Sequence, residues 1–564
     1  MFLVEKINVK LKDFLFNAGI CGFLKVLRYD HYDLEDQEIG NSIEVPVSFL
    51  DNFGDKYIKA MLDCFQKDTL YQSLITQYDR FSRMKLEEIQ QKEYEEFVSK
   101  LISKISSASY KSGYAIITSQ GDTFDMLSYV KQLKEEKDIR RSLSICEKIV
   151  SYMLKHKETL CMKDIIYTKI NMFWQGLAFL NSSNSKKDIK ECYYKDFVKP
   201  AQTYLGKKSK GDLQCIQCGS PLNATLGRGM SWLNDMGIDM GRKRSHYWNF
   251  KPDTYLCPIC ALIYSCIPLG FAIVGSDAIF INNNESIHEL VAVNNIHKKG
   301  GEVYNTLNEL YYKVLYSFID IGNQIQTKEI QNIQIIKRIS PTNEAGRYVF
   351  NTLSQPLLKT LEKSKNNFRH LLNWSYKQDK DSYVSVYQEV ADNFFSGRNQ
   401  YSLIHNILQK VFNENIVAPY VKDILSIQRR QTRKFYSNYE GGSFAMYVSK
   451  DEFDAAYKAG SQIRMEYSRD IAGDQDKQKK INEGLRSFVY PLLLSLKTKD
   501  QSKFSDTLFR FYVGRSQSIP KILINMQLND EKFQLLGYTF VAGLQGESYD
   551  SKRVLENNIE KEDE

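Results

Sequence analysis

The chain has 564 residues, of which 43% are hydrophobic, 26% charged and 13% aromatic, with a formal net charge of +8. That length is more than one hydrophobic core serves, so at least two domains are expected, and the composition excludes a disordered, fibrous or disulfide-stapled miniature chain. A charge this small for the length excludes a general polycation, and any basic contact surface has to be local.

From the N-terminus, LVEKINVKL reads as a strand. Asp13 then stands where a helix N-cap belongs, ahead of the apolar run FLFNAGICGFL at 14–24, which predicts an amphipathic helix. Lys6, Lys10 and Lys12 precede that run and no small-residue cleavage site follows it, so it is not an export signal. The acidic cluster Asp30, Asp33, Glu35, Asp36 and Glu38 has the carboxylates a Mg²⁺-dependent nuclease needs, but a solvated loop accounts for it better. Residues 55–200 carry helical spacing, interrupted by SGYAIITS at 112–119, which reads as a second strand.

Six of the ten cysteines, Cys21, Cys64, Cys146, Cys161, Cys192 and Cys266, are scattered singly in apolar or helical surroundings and read as core residues. The other four form CIQC (Cys215, Cys218) and CPIC (Cys257, Cys260). A CxxC turn aims two sulfurs at one ion, and two such turns complete a tetrahedral shell, so a structural zinc site is expected; a redox pair and an iron–sulfur cluster are the alternatives. Four cysteines leave no position for water, so zinc there would hold the fold and do no chemistry.

The 38 residues between the pairs (219–256) differ from the rest of the chain. Gly227, Gly229, Gly237 and Gly241 allow close backbone approach, and Arg242, Lys243, Arg244, His246, Tyr247 and Trp248 combine phosphate-neutralising charge with flat rings that stack on unpaired bases. Nucleic-acid contact and a flexible loop with a solvated basic turn both fit. Next, Tyr255–Ser276 runs 22 residues without a charge, but Pro258, Pro268 and half of the metal site sit inside it. A buried knuckle leading into a core segment fits better than a membrane span, and a cytoplasmic location is expected.

Downstream, 303–440 shows helical spacing, for example Leu307, Leu310, Tyr311 and Val314. It ends in the basic run Arg429, Arg430, Arg433, Lys434 and the flexible step Gly441-Gly442. Ser449 and Glu452 form a capping box, and Phe453, Ala456, Tyr457 and Ile463 give that helix an apolar face. Helices near 477–497, 501–513, 519–527 and 531–545 complete a bundle, with Arg464, Arg469, Lys477, Lys479, Lys480, Arg486, Arg510 and Arg515 on its polar faces. The fold class is therefore α+β, mainly helical: a strand-containing N-terminal region (1–440) with a zinc-bound insert at about 211–265, then a C-terminal helical bundle at 446–564.

Catalytic motifs are missing. Gly206-Lys207 continues with Lys208 and has no upstream P-loop glycine, His288-Glu289 has no second histidine of a zinc protease, and neither a GxSxG elbow nor a His-Asp pair occurs.

KLKDFLFNAGICGFLKVL at the start, MFWQGLAFLN at 172–181, the paired CIQC and CPIC, and FQLLGYTFVAGL near the end together resemble the CXXC-CXXC large subunit of the type I-B CRISPR effector complex, Cascade. The resemblance implies a non-catalytic subunit in antiviral defence. Such a subunit sits at the 5′ handle of the guide RNA among backbone and handle-binding subunits. It reads the protospacer-adjacent motif on target double-stranded DNA and helps license a recruited helicase-nuclease. Because Arg, Lys, Asn and Gln read base edges, Asn234, Arg242, Lys243 and Arg244 are the expected nucleic-acid contacts. The bundle resembles the Cascade small subunit, and translation from Met446 would give it as a separate product of 119 residues. Rival readings are a zinc-stabilised, metal-dependent nuclease using Asp33 and Glu35, and a scaffold that contacts only proteins.

Overall fold

Asp13 accepts the N–H groups of Leu15 (3.0 Å) and Phe16 (3.1 Å) through Oδ1, and the helix it caps, α1 (Phe14–Leu27), is buried from Leu15 to Leu27. The cap is where the sequence puts it, but the helix is buried on all sides and is not amphipathic. Glycine explains the difference. A Cβ on Gly19 would stand 2.6 Å from the Ile263 carbonyl oxygen, one on Gly22 2.0 Å from that of Cys266, and one on Gly270 2.0 Å from that of Ala18. The main chain of α1 therefore touches α2 (Pro258–Ser265) and α3 (Ile267–Gly270), which only residues without a Cβ permit. Each apolar run covers the other, and among the described residues no helix is long and apolar enough to cross a membrane.

The computed structural model describes residues 6–32, 40–205, 211, 213–223, 225–236, 254–295, 308–309, 311–312, 316, 333–340, 346–352, 354–379, 382–437, 448–469, 477–526 and 529–546. The chain divides into two compact units, Met1–Ile321 with Asn332–Thr352, and Gly322–Gln331 with Leu353–Glu564.

In the first unit, β1 (Lys6–Lys10) pairs antiparallel with β2 (Ser42–Pro46), so the opening strand is as expected. Helices fill most of 53–165. The second expected strand, SGYAIITS, is instead the latter part of the helix Ala108–Ser119. Its buried positions Tyr110, Gly113, Ile116 and Ile117 recur at helical spacing, and a Cβ on Gly113 would lie 3.1 Å from Leu160 of the helix Lys157–Ile165. Packing on that neighbour overrides the β preference of Ile116, Ile117 and Thr118.

The metal region supplies β3 (Leu213–Gln214), β4 (Pro221–Leu222), β5 (Arg228–Gly229) and β6 (Tyr255–Leu256), with β3 on β4 and β5 on β6, both antiparallel. A four-stranded antiparallel sheet follows in the order β10-β9-β8-β7, from β7 (Ala272–Val274), β8 (Asp277–Asn283), β9 (Ile333–Ile339) and β10 (Arg347–Thr352). With the hairpin Ser375–Asp379 and Ser382–Ser385, β9 and β10 correct the helical reading of 303–440: Ile333, Ile335 and Ile336 fill a sheet. Leu307, Leu310 and Val314 lie outside the described residues, and Tyr311 is helical and buried.

The second unit holds α4 (Tyr401–Glu414), α5 (Val421–Ser437), α6 (Lys450–Arg469), α7 (Lys477–Thr498), α8 (Gln501–Val513), α9 (Lys521–Asn525) and α10 (Asp530–Gln545). The capping box forms as expected: Ser449 N–H donates to Glu452 Oε2 at 2.9 Å and Glu452 N–H to Ser449 Oγ at 3.1 Å. Phe453, Ala456, Tyr457 and Ile463 are buried. Arg464 is a correction, because it lies inside the bundle and not on a polar face. Its guanidinium donates to the Leu544 carbonyl (2.7 Å), to Asn482 Oδ1 (3.0 Å) and to Gln478, partners that replace water. Helix α4 shares this core. Arg486 donates to the Phe412 carbonyl at the end of α4 (2.8 Å), and the rings of Tyr401 and Tyr538 stack at 5.6 Å.

Candidate metal centre

The CIQC turn is made by its own backbone. Gly219 N–H donates to the Cys215 carbonyl (2.8 Å) and Cys215 N–H to that of Ser220 (2.9 Å), closing a knuckle between β3 and β4. Gly219 has φ +73°, a left-handed conformation that glycine adopts without strain. The CPIC turn is built differently. Cys257 is the N-cap of α2, with Pro258 in the first turn, and Cys260 N–H donates to Cys257 Sγ at 3.4 Å. The two turns are joined by Ile216 N–H to the Tyr255 carbonyl (2.9 Å) and by Cys257 N–H to Cys215 Sγ (3.2 Å).

The four Sγ atoms lie within 4.8 Å of one another. A tetrahedral ion with bonds of about 2.3 Å sets sulfur–sulfur edges of about 3.8 Å. Cys218 Sγ is 3.7 Å from Cys257 Sγ, so the cluster fits one such ion. Cys215, Cys257 and Cys260 are buried, whereas Cys218 is exposed and has the Ser220 hydroxyl 3.2 Å away. The Cys215 thiol, then Cys257 and Cys260, push Cys218 far below the usual thiol range. Cys215, Cys218 and Cys257, with burial, push Cys260 far above it. Four negative sulfurs this close repel one another, and a cation among them lets all four ionise together. The cluster can therefore hold a metal ion. The other cysteines behave differently: burial pushes Cys21, Cys146, Cys161 and Cys266 up to about 12, so they stay protonated, and Cys64 is only half-buried.

The insert is anchored over its first part. Trp174 and Leu233 form a β-bridge, Gln175 N–H donates to the Trp232 carbonyl (2.9 Å), and Asn234 N–H to that of Phe173 (2.9 Å). Trp232 and Leu233 are buried, with the Trp232 ring 5.9 Å from Trp174. Asn234 is therefore placed as an anchor: its amide donates to the carbonyls of Asn171 (2.7 Å) and Met172 (3.3 Å). Arg242, Lys243 and Arg244 lie outside the described residues. So do Asp33, Glu35, Asp36 and Glu38, while Asp30 is ion-paired with Lys56 at 2.5 Å.

Composition gave no hint of two further anchors. Arg338 on β9 holds Asp235 with two hydrogen bonds (2.7 and 3.0 Å), and Arg228 donates to the Asp196 carbonyl (2.6 Å) with its guanidinium 5.5 Å from the centre of the Phe197 ring. Arg338 sits in IIKRI, where a charged pair inside an apolar strand is the only trace of a buried partner.

No curated protein matches the chain. Residues 208–272, which contain both cysteine pairs and the anchored part of the insert, match the model of a CRISPR-associated protein family, Cas_CXXC_CXXC, and this match supports a role in a CRISPR system.

Proposed function

We propose that the chain is the non-catalytic large subunit of a type I-B Cascade complex and works in the cytoplasm. In this reading it binds the 5′ handle of the guide RNA and recognises the protospacer-adjacent motif on target double-stranded DNA. Its partners are the backbone, handle-binding and small subunits and a recruited helicase-nuclease. The observation that carries the reading is a four-cysteine cluster that fits one ion inside the segment matched by the CRISPR-associated model. Cys215, Cys218, Cys257 and Cys260 would hold Zn²⁺. The ion would supply cross-linking of the two turns and no reaction, because four protein sulfurs fill its shell.

Nucleic acid would be met by the insert, through Asn234, Arg242, Lys243 and Arg244, with the Asn234 backbone bonded to the Phe173 carbonyl. Phosphate contacts weaken with salt and do not depend on sequence. The purified complex should therefore shift guide RNA and target duplex in a salt-dependent way, and alanine at Arg242 and Arg244 should weaken every target alike. Assembly that is insensitive to salt and shifts no nucleic acid would favour a protein-only scaffold. Metal-dependent cleavage lost on changing Asp33 and Glu35 would favour a nuclease.

A further inference from the structure

Tyr264 on α2 stands between the metal centre and the first helix. Its hydroxyl is 3.0 Å from Asp13 Oδ2 and 3.1 Å from the side-chain amide of Gln217, which lies between the two cysteines of CIQC. A phenol has one proton to give, and an ionised Asp13 can only accept. Asp13 already caps α1 through Oδ1, so Oδ2 takes the phenol proton. The Gln217 contact must then run the other way, with its NH₂ group donating to the Tyr264 oxygen. An amide has the same shape either way round, so its orientation follows from its partners. The opposite orientation buries the Gln217 nitrogen without a partner.

We propose that Gln217, Tyr264 and Asp13 form a hydrogen-bond relay that couples metal loading at the four cysteines to the cap of α1, with Gln217 and Tyr264 as positioning residues of the metal centre. The proposal rests on the metal reading of the cluster. A bound ion fixes the 215–218 turn, the turn fixes Gln217, and Gln217 sets the phenol that supports the Asp13 carboxylate. Groups outside the ligand shell that hold a ligand turn in place typically change metal affinity by about 10- to 100-fold. Coupling is reciprocal, so a weakened cap should also loosen the metal.

The test uses the whole chain loaded with zinc. Zinc release to a chromogenic chelator and amide hydrogen exchange at Leu15 and Phe16 are both measured. Tyr264→Phe and Gln217→Leu should each release zinc about 10-fold faster than the parent chain. Chelation should speed exchange at Leu15 and Phe16 in the parent, and in Tyr264→Phe exchange there should be fast already and unresponsive to chelation. Tyr57→Phe is the control. It removes another buried hydroxyl, one bonded to the Ser265 carbonyl at 3.1 Å, and should leave both readouts unchanged. Parent-like zinc release in both variants, or exchange in the parent that ignores chelation, overturns the relay while leaving the metal site standing. A parent chain that takes up no zinc on titration overturns the metal reading, and the relay with it.

Discussion

The α-carbon of Gly22 lies so close to Cys266 that a Cβ there would stand 2.0 Å from the Cys266 carbonyl oxygen, with the Leu269 side chain 3.0 Å away on the same side. Main chain cannot yield as a side-chain tip can. Gly22→Ala should therefore cost about 3 kcal/mol, at the upper end for overpacking a tight core. Calorimetry should show the unfolding transition of the first unit moving down while that of the second keeps its place. Equal transition temperatures for variant and parent would contradict main-chain contact between α1 and α3.

Metal analysis should separate the cysteines into two groups. Cys215→Ser and Cys257→Ser should each reduce zinc from about one per chain to a small fraction of that, because a shell with one sulfur missing binds far more weakly. Cys146→Ser should keep full zinc, since its thiol is buried away from the cluster. Loosening the base of the insert should also lower target recognition by the assembled complex. Full recognition by a zinc-free chain would detach the metal from function.

Two arginines that look alike in sequence should differ sharply on mutation. Arg464→Ala strands the Leu544 carbonyl and Asn482 inside the bundle and should cost about 3 kcal/mol. Arg510 is exposed and, among the described residues, ion-paired with Asp506 four residues earlier at 4.0 Å, and Arg510→Ala should change stability by less than about 0.5 kcal/mol. Urea midpoints of the two variants make the comparison.

Alkaline pH should destabilise the metal-loaded chain. Burial raises the thiols of Cys21, Cys146, Cys161 and Cys266 to about 12, from a starting value of 9.0. Between those values the unfolded chain has lost these protons and the folded chain keeps them. Their contribution is thus complete below pH 9 and falls as pH rises toward 12, by about 1.4 kcal/mol per pH unit for each thiol. Cys266→Ala should make the fall in denaturation midpoint above pH 9 shallower by one proton. An unchanged slope would mean that Cys266 ionises freely in the folded chain.

Signals confined to a few neighbouring residues were legible in the sequence. The paired CxxC motifs, the Asp13 cap and the Ser449–Glu452 box each state a local geometry, and each forms. Features that depend on distant partners were not. SGYAIITS has strand composition and becomes helix because the helix Lys157–Ile165 offers it a packing face. Arg464 reads like its exposed neighbours until Asn482 and Leu544 surround it, and the bonds from the Asn234 amide to the carbonyls at 171 and 172 have no signal in the sequence around them. Long-range pairing of this kind leaves little mark in the residues that flank either partner.

The contact between α1 and α3 also sets an order of events during synthesis. Helix α1 is made first, yet its seat is completed only when Gly270 has been added, more than two hundred residues later. At roughly 5–20 residues per second, that delay is on the order of tens of seconds. Through that interval a glycine-bearing, almost uncharged helix waits without its cover. The apolar surface of α1 is therefore open to non-native contacts for longer than that of segments whose partners lie close in sequence.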